Sequence, residues 1–336
     1  MLKVAVIGAG VSGAACAAEL TASGYTVTVF DKGRQHGGRL ASRVTDDEQF
    51  DYGAQYFTAR GAEFKTALAG WIDKGWVKPW IGHFGKFANH VMQAHYPQNV
   101  RYVAVPSMHS LAQYMLREVD VSLASQVTRL SRDEATRLWS VTGRVNIGST
   151  TQAETEFEVN NFNIVVVSLP PVQANALAAN TQVAAVKLDP CWAVMAAFAN
   201  PLAVQIDGAT IENNALSWIA RDSSKPNRPP GERWILHGAP DWSAQNIEAT
   251  EREIIEKLLT DFFALVNLSK IDTTFIRAHR WRYARATTAL SDNFIFDESK
   301  GLGYCGDWCT GDRIESAYQS GVAMARRISS IAQQSR

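Results

Sequence analysis

The chain has 336 residues, 46% hydrophobic and 20% charged, which is a globular composition with length for roughly two domains of about 150 residues each. Lys and Arg (33) balance Asp and Glu (33), so there is no overall basic charge with which to engage nucleic acid. No uninterrupted apolar run reaches the roughly 18 residues that would suggest a membrane span. The apolar Leu2–Ile7 stretch is too short for an export signal. These features predict a cytoplasmic location with neither a membrane nor a nucleic-acid partner. Cys16, Cys191, Cys305 and Cys309 form no C-x-x-C pair, so no metal is expected. Cys305 and Cys309 read either as a redox pair or as thiols at the end of a strand.

Val4-Ala5-Val6-Ile7 is a continuous apolar run that suits a strand buried on both faces of a parallel sheet. Gly8-Ala9-Gly10-Val11-Ser12-Gly13 follows, then a helix-friendly stretch to Ala22, then a second β-branched run, Tyr25 to Phe30, ending at Asp31. The three glycines differ in role. Gly8 permits the tight turn, Gly10 admits a pyrophosphate to the backbone, and Gly13 lets helix and strand pack closely. The helix start offers free N–H groups and about half a positive charge to phosphates. Asp31 is placed to accept hydrogen bonds from ribose hydroxyls. In this strand–turn–helix–strand–acid order the motif predicts a bound dinucleotide.

The following residues, Asp31-Lys32-Gly33-Arg34-Gln35-His36-Gly37-Gly38-Arg39-Leu40, resemble the G-G-R segment of the flavin amine oxidase superfamily. Asp51-Tyr52-Gly53-Ala54-Gln55-Tyr56-Phe57 is similar to the D-x-G-A-x-x-F segment found there. The resemblance implies FAD, bound non-covalently, with Gly37 and Gly38 running beside it and Arg39 neutralising its phosphates. Paired glycines do allow close backbone approach, and arginine suits phosphate oxygens. Lys32, Gln55 and Tyr56 are carried over as cofactor-binding residues on the same ground.

Near the other end, Gly301 to Trp308 reads as a strand ending in Gly306-Asp307, and Ile314-Glu315-Ser316-Ala317-Tyr318-Gln319-Ser320-Gly321 opens a helix to about Ile331. This resembles the last FAD-binding segment of the superfamily. By that resemblance Asp307 binds the ribityl chain or pyrophosphate, and the N–H groups of Glu315, Ser316 and Ala317 face the pyrimidine edge of the flavin. A helix start there would stabilise the anion formed on reduction.

Between these ends, Arg101–Val105, Val121–Arg132, Arg137–Arg144 and Glu154–Leu169 read as strands, and Ser107 as the cap of a helix through Val119. Val127 matches the position whose backbone holds the adenine in the superfamily. Strands at Cys191–Phe198, Ala215–Arg221, Arg233–His237 and Thr273–Tyr283, with an amphipathic helix over Glu248–Val266, predict a second domain. Asp222–Gly231 reads as a turn or loop. The expected fold is α/β: a Rossmann-like FAD-binding domain (residues 1–69, 106–171 and 286–336) and a mostly antiparallel substrate domain (70–105 and 172–285) roofing the flavin.

Within the superfamily, Trp234-Ile235-Leu236-His237 through Trp242-Ser243 and His279-Arg280-Trp281-Arg282-Tyr283-Ala284 are similar to segments of small bacterial renalase-like proteins, and Ser217–Asp222 fits the strand before them. That implies oxidation of isomeric dihydro-NAD(P) by hydride transfer to flavin N5, with oxygen as acceptor and hydrogen peroxide as product. An oxidase of small amines is the alternative, although no covalently attaching cysteine, aromatic cage or flavin-side lysine is recognisable. His237 and Trp281 are the candidate catalytic residues, with Tyr283 and Arg221 behind them. A histidine on a strand also fits a satisfied core residue, and Trp281 also fits core packing.

Overall fold

The computed structural model describes residues 2–46, 48–88, 91–94, 98–146 and 154–334. The chain divides into one unit of residues Met1–Gly38, His109–Lys187 and Ala286–Arg336, and a second of Arg39–Met108 and Leu188–Arg285. Residues 39–69, assigned from sequence to the FAD-binding domain, fall in the second unit, and 172–187 in the first.

In the first unit, Val4, Ala5 and Val6 are fully buried in strand Lys3–Ile7, as are Val165, Val166 and Val167 in strand Ile164–Val167. These strands lie side by side and parallel, Ile7 opposite Val167. The six-stranded sheet runs in the order Ile295–Asp297, Leu302–Tyr304, Ile164–Val167, Lys3–Ile7, Thr26–Phe30, Asp120–Ser122. Only its Ile295–Asp297 edge is antiparallel to its neighbour. Helices cover such a sheet because both its faces are apolar. Helix Val11–Ala22 is lined by small residues and packs against the C-terminal helix Ile314–Gln334. The two backbones approach so closely that a Cβ on Gly321 would run into the Ser12 carbonyl and lie 3.0 Å from the Cys16 nitrogen.

Two predicted strands prove to be composite. The expected Val121–Arg132 strand breaks at Ala124, whose φ is 52°; Asp120–Ser122 stays in the parallel sheet while Ser125–Arg132 joins a separate antiparallel sheet with Trp139–Asn146 and Glu154–Phe162. The expected Glu154–Leu169 strand breaks likewise after Phe162. The expected helix from Ser107 is shorter, Ser110–Met115, so Ser107 is not its cap.

The second unit is built on a seven-stranded sheet in the order Thr273–Ala286, Leu188–Phe198, Glu232–Gly238, Leu216–Arg221, Gly208–Ile211, Phe84–Ala88, Val91–Ala94. Its registered pairings are antiparallel except Gly208–Ile211 with Phe84–Ala88. The short Gly208–Ile211 strand carries too few residues to show a period and is not foreseen from the sequence. Side chains alternate between faces along a strand. On one face Val194, Ala196, Phe198, Trp234 and Leu236 pack under helix Glu251–Leu265, which turns Ile254, Leu258 and Phe262 inward. That helix starts after Thr250, which with Glu253 forms a capping box. On the other face Met195, Ala197 and Ile235 pack with Phe50, Tyr52 and Phe275. The period of two therefore places His237, and also His279 and Trp281, on this second face. Among the described residues, no helix is long and apolar enough to cross a membrane.

Gly321→Ala is expected to cost about 1–3 kcal/mol through overpacking of the two helices. A lowered urea midpoint with unchanged slope measures it, and an unchanged midpoint contradicts the close approach.

Candidate functional site

The first unit assembles the glycine-rich turn as its sequence requires. Gly8 has φ +114°, and a Cβ there would strike the Ser168 carbonyl. A Cβ on Gly13 would strike the Gly8 carbonyl. Gly10 precedes helix Val11–Ala22 in extended conformation with no side-chain cap, so the first turn keeps N–H groups that the helix itself cannot satisfy. The Gly37 N–H donates to the Ala9 carbonyl at 2.9 Å, and Gly38, at φ +53°, would bring a Cβ within 3.4 Å of the Gly10 Cα. The second glycine segment thus lies directly on the first.

Asp31 is held by this turn: its carboxylate accepts from the Ala9 and Gly33 N–H groups, each at 2.6 Å. Burial raises its pKa, and the two amides oppose that rise. One further lone pair on each oxygen remains for ribose hydroxyls. Lys32 beside it is exposed and also opposes the rise. The Ser125 N–H donates to the Asp31 carbonyl at 2.8 Å, and Ala124 to Gly33 at 2.8 Å, so strand Ser125–Arg132 brings Val127 close to the acid.

Gly306, Asp307 and the start of helix Ile314–Gln334 belong to the same unit. The Gly306 N–H donates to the Ser320 hydroxyl at 2.9 Å, which pins the strand end to the helix. Asp307 and Glu315 are buried, and Ser316 is half-buried. The Ala317 N–H, expected to face a flavin, donates to the Arg313 carbonyl at 3.0 Å. Gly8 and Gly13 with no room for a Cβ, an open Gly10 before an uncapped helix start, and an acid locked at the strand end fit a dinucleotide.

In the second unit, Arg39 carries the Asp51–Phe57 segment: its carbonyl accepts from the Ala54 N–H at 2.9 Å, and Gly53 has no space for a Cβ against it. The Arg39 Nη1 donates to the Ala284 carbonyl at 3.2 Å. Gln55 is occupied by its own unit, donating to the Asp51 and Gly53 carbonyls and accepting from Lys225 at 3.2 Å. The Tyr56 ring lies under the Arg101 guanidinium, 4.5 Å from its centroid.

His237 and Trp281 converge on one residue. The Trp281 indole donates to the Tyr52 carbonyl at 3.0 Å and stacks on the Tyr52 ring, 5.5 Å between centroids, with His279 against both rings. His237 also makes a hydrogen bond with the Tyr52 backbone, yet its Nε2 is buried without a partner among the described residues. Burial pushes the imidazole down to about 4, with the positive charge of Lys225 adding to the effect and the Tyr52 bond opposing it. Tyr283 is half-buried on the same strand. Arg221 pairs with Glu232 at 3.2 Å, donates to the Val204 carbonyl at 2.6 Å and lies over Trp234.

The Asp222–Gly231 loop holds what sequence reasoning missed. Lys225 and Arg228 are buried on Asp51, with Nζ at 3.3 Å and Nη2 at 2.6 Å, and Lys225 also binds Asp222 at 2.6 Å. The two cations hold the Asp51 carboxyl well below the usual range against the cost of burial, while burial raises Asp222. Nothing in a Ser-Ser-Lys-Pro-Asn-Arg-Pro-Pro-Gly stretch distinguishes a buried charged loop from a solvated one.

The family described as flavin containing amine oxidoreductase matches residues 86–329, and that described as NAD(P)-binding Rossmann-like domain matches residues 6–69. A 4,4'-diapophytoene desaturase (4,4'-diaponeurosporene-forming) from Staphylococcus haemolyticus (strain JCSC1435) is 48% identical over 52 residues, which is 16% of this chain and 10% of that protein. The Staphylococcus aureus (strain Newman) counterpart is 46% identical over 52 residues, with the same coverage of 16% and 10%. The chain therefore matches only about a tenth of the length of these curated relatives. Among solved structures, a putative protoporphyrinogen oxidase from Exiguobacterium sp. 255-15 superposes with TM-score 0.76 at 9% identity, covering 97% of this chain and 98% of the other. Wild-type putrescine oxidase bound to putrescine gives 0.70 at 12% identity, covering 98% and 99%. At these identities the likeness is one of fold.

His237 has a consequence for pH. A folded-state pKa of about 4 lies below the unfolded value of about 6.5, so the folded chain binds fewer protons across that window. Its stability is full above pH 6.5 and falls as pH drops toward 4. Between pH 7.5 and 5 the share due to His237 is about 2 kcal/mol. His237→Gln removes that share, read as the difference in urea unfolding free energy at the two pH values. Equal pH dependence in both proteins refutes it.

Proposed function

Taking as premise that this chain belongs to the flavin containing amine oxidoreductase family, with FAD as its cofactor, we propose that it is a renalase-type oxidase of isomeric dihydro-NAD(P), with oxygen as the final acceptor. FAD, held non-covalently, would supply the acceptor for the substrate's hydride and the route to oxygen, with hydrogen peroxide as product. Gly8, Gly10, Gly13 and Gly38 admit the pyrophosphate to the backbone, and Asp31 takes the ribose. Lys32 and Arg39 add positive charge, while the backbone at Val127 holds the adenine. Gly306, Asp307 and the first turn containing Glu315, Ser316 and Ala317 meet the ribityl chain and ring. Gln55 serves through its backbone, because its amide is already engaged, and Tyr56 through its ring. In the substrate unit, Trp281 walls and His237 contacts the nicotinamide.

The observation that carries this reading is the lack of proton-abstracting power around His237. Asp51 and Asp222 are tied to Lys225 and Arg228, and the imidazole stays neutral with pKa about 4, far below the range of an efficient general base at neutral pH. A dihydronicotinamide is already a hydride donor and needs only to be oriented. The second reading is an oxidase of small amines, favoured by the close aromatic group of Tyr52, His279 and Trp281, which could pack around an alkylamine.

Anaerobic mixing with the 2- and 6-dihydro isomers is expected to bleach the flavin within seconds. Flavin that stays yellow with both overturns the proposal, and peroxide release from a panel of primary amines then supports the second reading.

A further inference from the structure

In the second unit, arginines meet carboxylates: Arg221 with Glu232, Arg228 with Asp51, Arg233 with Glu48, Arg282 with Glu248. Arg101 differs from these. It is 5% exposed, and its guanidinium makes no ion pair or hydrogen bond among the described residues. It is instead enclosed by rings, 4.0 Å from the Phe84 centroid, 4.5 Å from Tyr56 and 5.1 Å from Trp218. Its Nη1 is buried and unpartnered.

Indoles of the second unit show a similar contrast. Trp80, Trp192, Trp234 and Trp281 each donate their ring N–H to an oxygen. The Nε1 of Trp218 is buried with no partner, although its ring lies 5.4 Å from Tyr56 and close to Arg101. Trp218 stands opposite His237 in the sheet register, and the His237 Nε2 is a third unpartnered atom. Arg101, Trp218 and His237 thus form a linked set in which each keeps a buried polar atom unused.

We propose that Arg101 and Trp218 form an oxyanion-binding subsite that grips a carboxylate or phosphate group of the substrate beside His237. Aromatic faces stabilise the cation only in part, and a desolvated guanidinium retains strong affinity for an oxyanion. The Trp218 N–H supplies a donor that carries no charge of its own. Burial depresses the Arg101 pKa, as expected where the counter-charge must come from a ligand. A protonated amine is repelled here, so the subsite also sets the sign of charge that the substrate carries. This subsite rests on the reading of the second unit as the one that receives the substrate.

The test is isothermal titration calorimetry of the full FAD-loaded chain with benzoate and, separately, with inorganic pyrophosphate. At least one probe binds saturably, and which one binds identifies a carboxylate or a phosphate as the group received. Arg101→Met weakens that probe by about 30-fold or more. Trp218→Phe, which removes only the N–H from an aromatic wall, weakens it by about 10-fold. Arg101→Lys keeps the charge and loses the planar fork, so it falls between wild type and Arg101→Met. If Arg101→Met does not fold, Trp218→Phe and Arg101→Lys decide. Binding of neither probe, or binding unchanged in the variants, overturns the subsite. Flavin that no dihydro isomer bleaches, with probe binding still dependent on Arg101, removes the proposed function and leaves the subsite standing.

Discussion

The ion cluster at Asp51 organises the second unit. Asp51 accepts from Lys225 and Arg228 on one oxygen and from the Ser42 hydroxyl and Met108 N–H on the other, so its own hairpin, the Asp222–Gly231 loop and the Met108 backbone meet at one carboxylate. Asp222 adds the second negative charge, which brings the formal sum of the four groups to zero. Such a cluster contributes little net stability over an apolar core, but removing one member leaves an uncompensated buried charge. The pairing ties the Asp222–Gly231 loop to the hairpin that carries Asp51. The Lys225 ammonium also reaches Gln55, and its charge adds to the depression of the His237 pKa, so the ion cluster and the His237 face of the sheet are electrostatically linked.

The sequence was most legible where a physical requirement forces residue type on a short span. Gly8 and Gly13 are recognisable because no Cβ fits between the backbones there, Gly37 and Gly38 because their φ values are positive, and Asp31 because the amides of Ala9 and Gly33 converge on a carboxylate. The parallel strands show as apolar runs because both faces are covered. Boundaries were less legible where a single turn redirects a β-prone run, as at Ala124, since the residues on either side have the same propensity. The least legible features depend on partners far along the chain. Lys225 and Arg228 sit in a loop of solvent-loving composition, and only the pairing with Asp51 buries them. Arg101 precedes a short strand with nothing local to show that its charge is unanswered.

The two faces of the seven-stranded sheet divide labour in a way the alternation makes inevitable. Trp234 and Leu236 serve the core under helix Glu251–Leu265, and the residue after them, His237, must point the other way. Shifting that strand by one residue would turn the imidazole under the helix and move Leu236 to the Ile235 face. The packing of Trp234 and Leu236 thus fixes the face that His237 takes, in a register that the strand's neighbours on both sides hold in place.

The nucleotide-binding unit is gathered from three stretches of chain, with the third beginning at Ala286. Strand Leu302–Tyr304 completes the parallel pairing with Ile164–Val167, and the helix after it covers the small-residue face of the first helix. During synthesis on the ribosome, the first glycine turn therefore emerges long before the surface it packs against. Until that third stretch leaves the exit tunnel, the unit must wait with an apolar flank uncovered, and full affinity for its cofactor arrives only once the covering helix is free to dock.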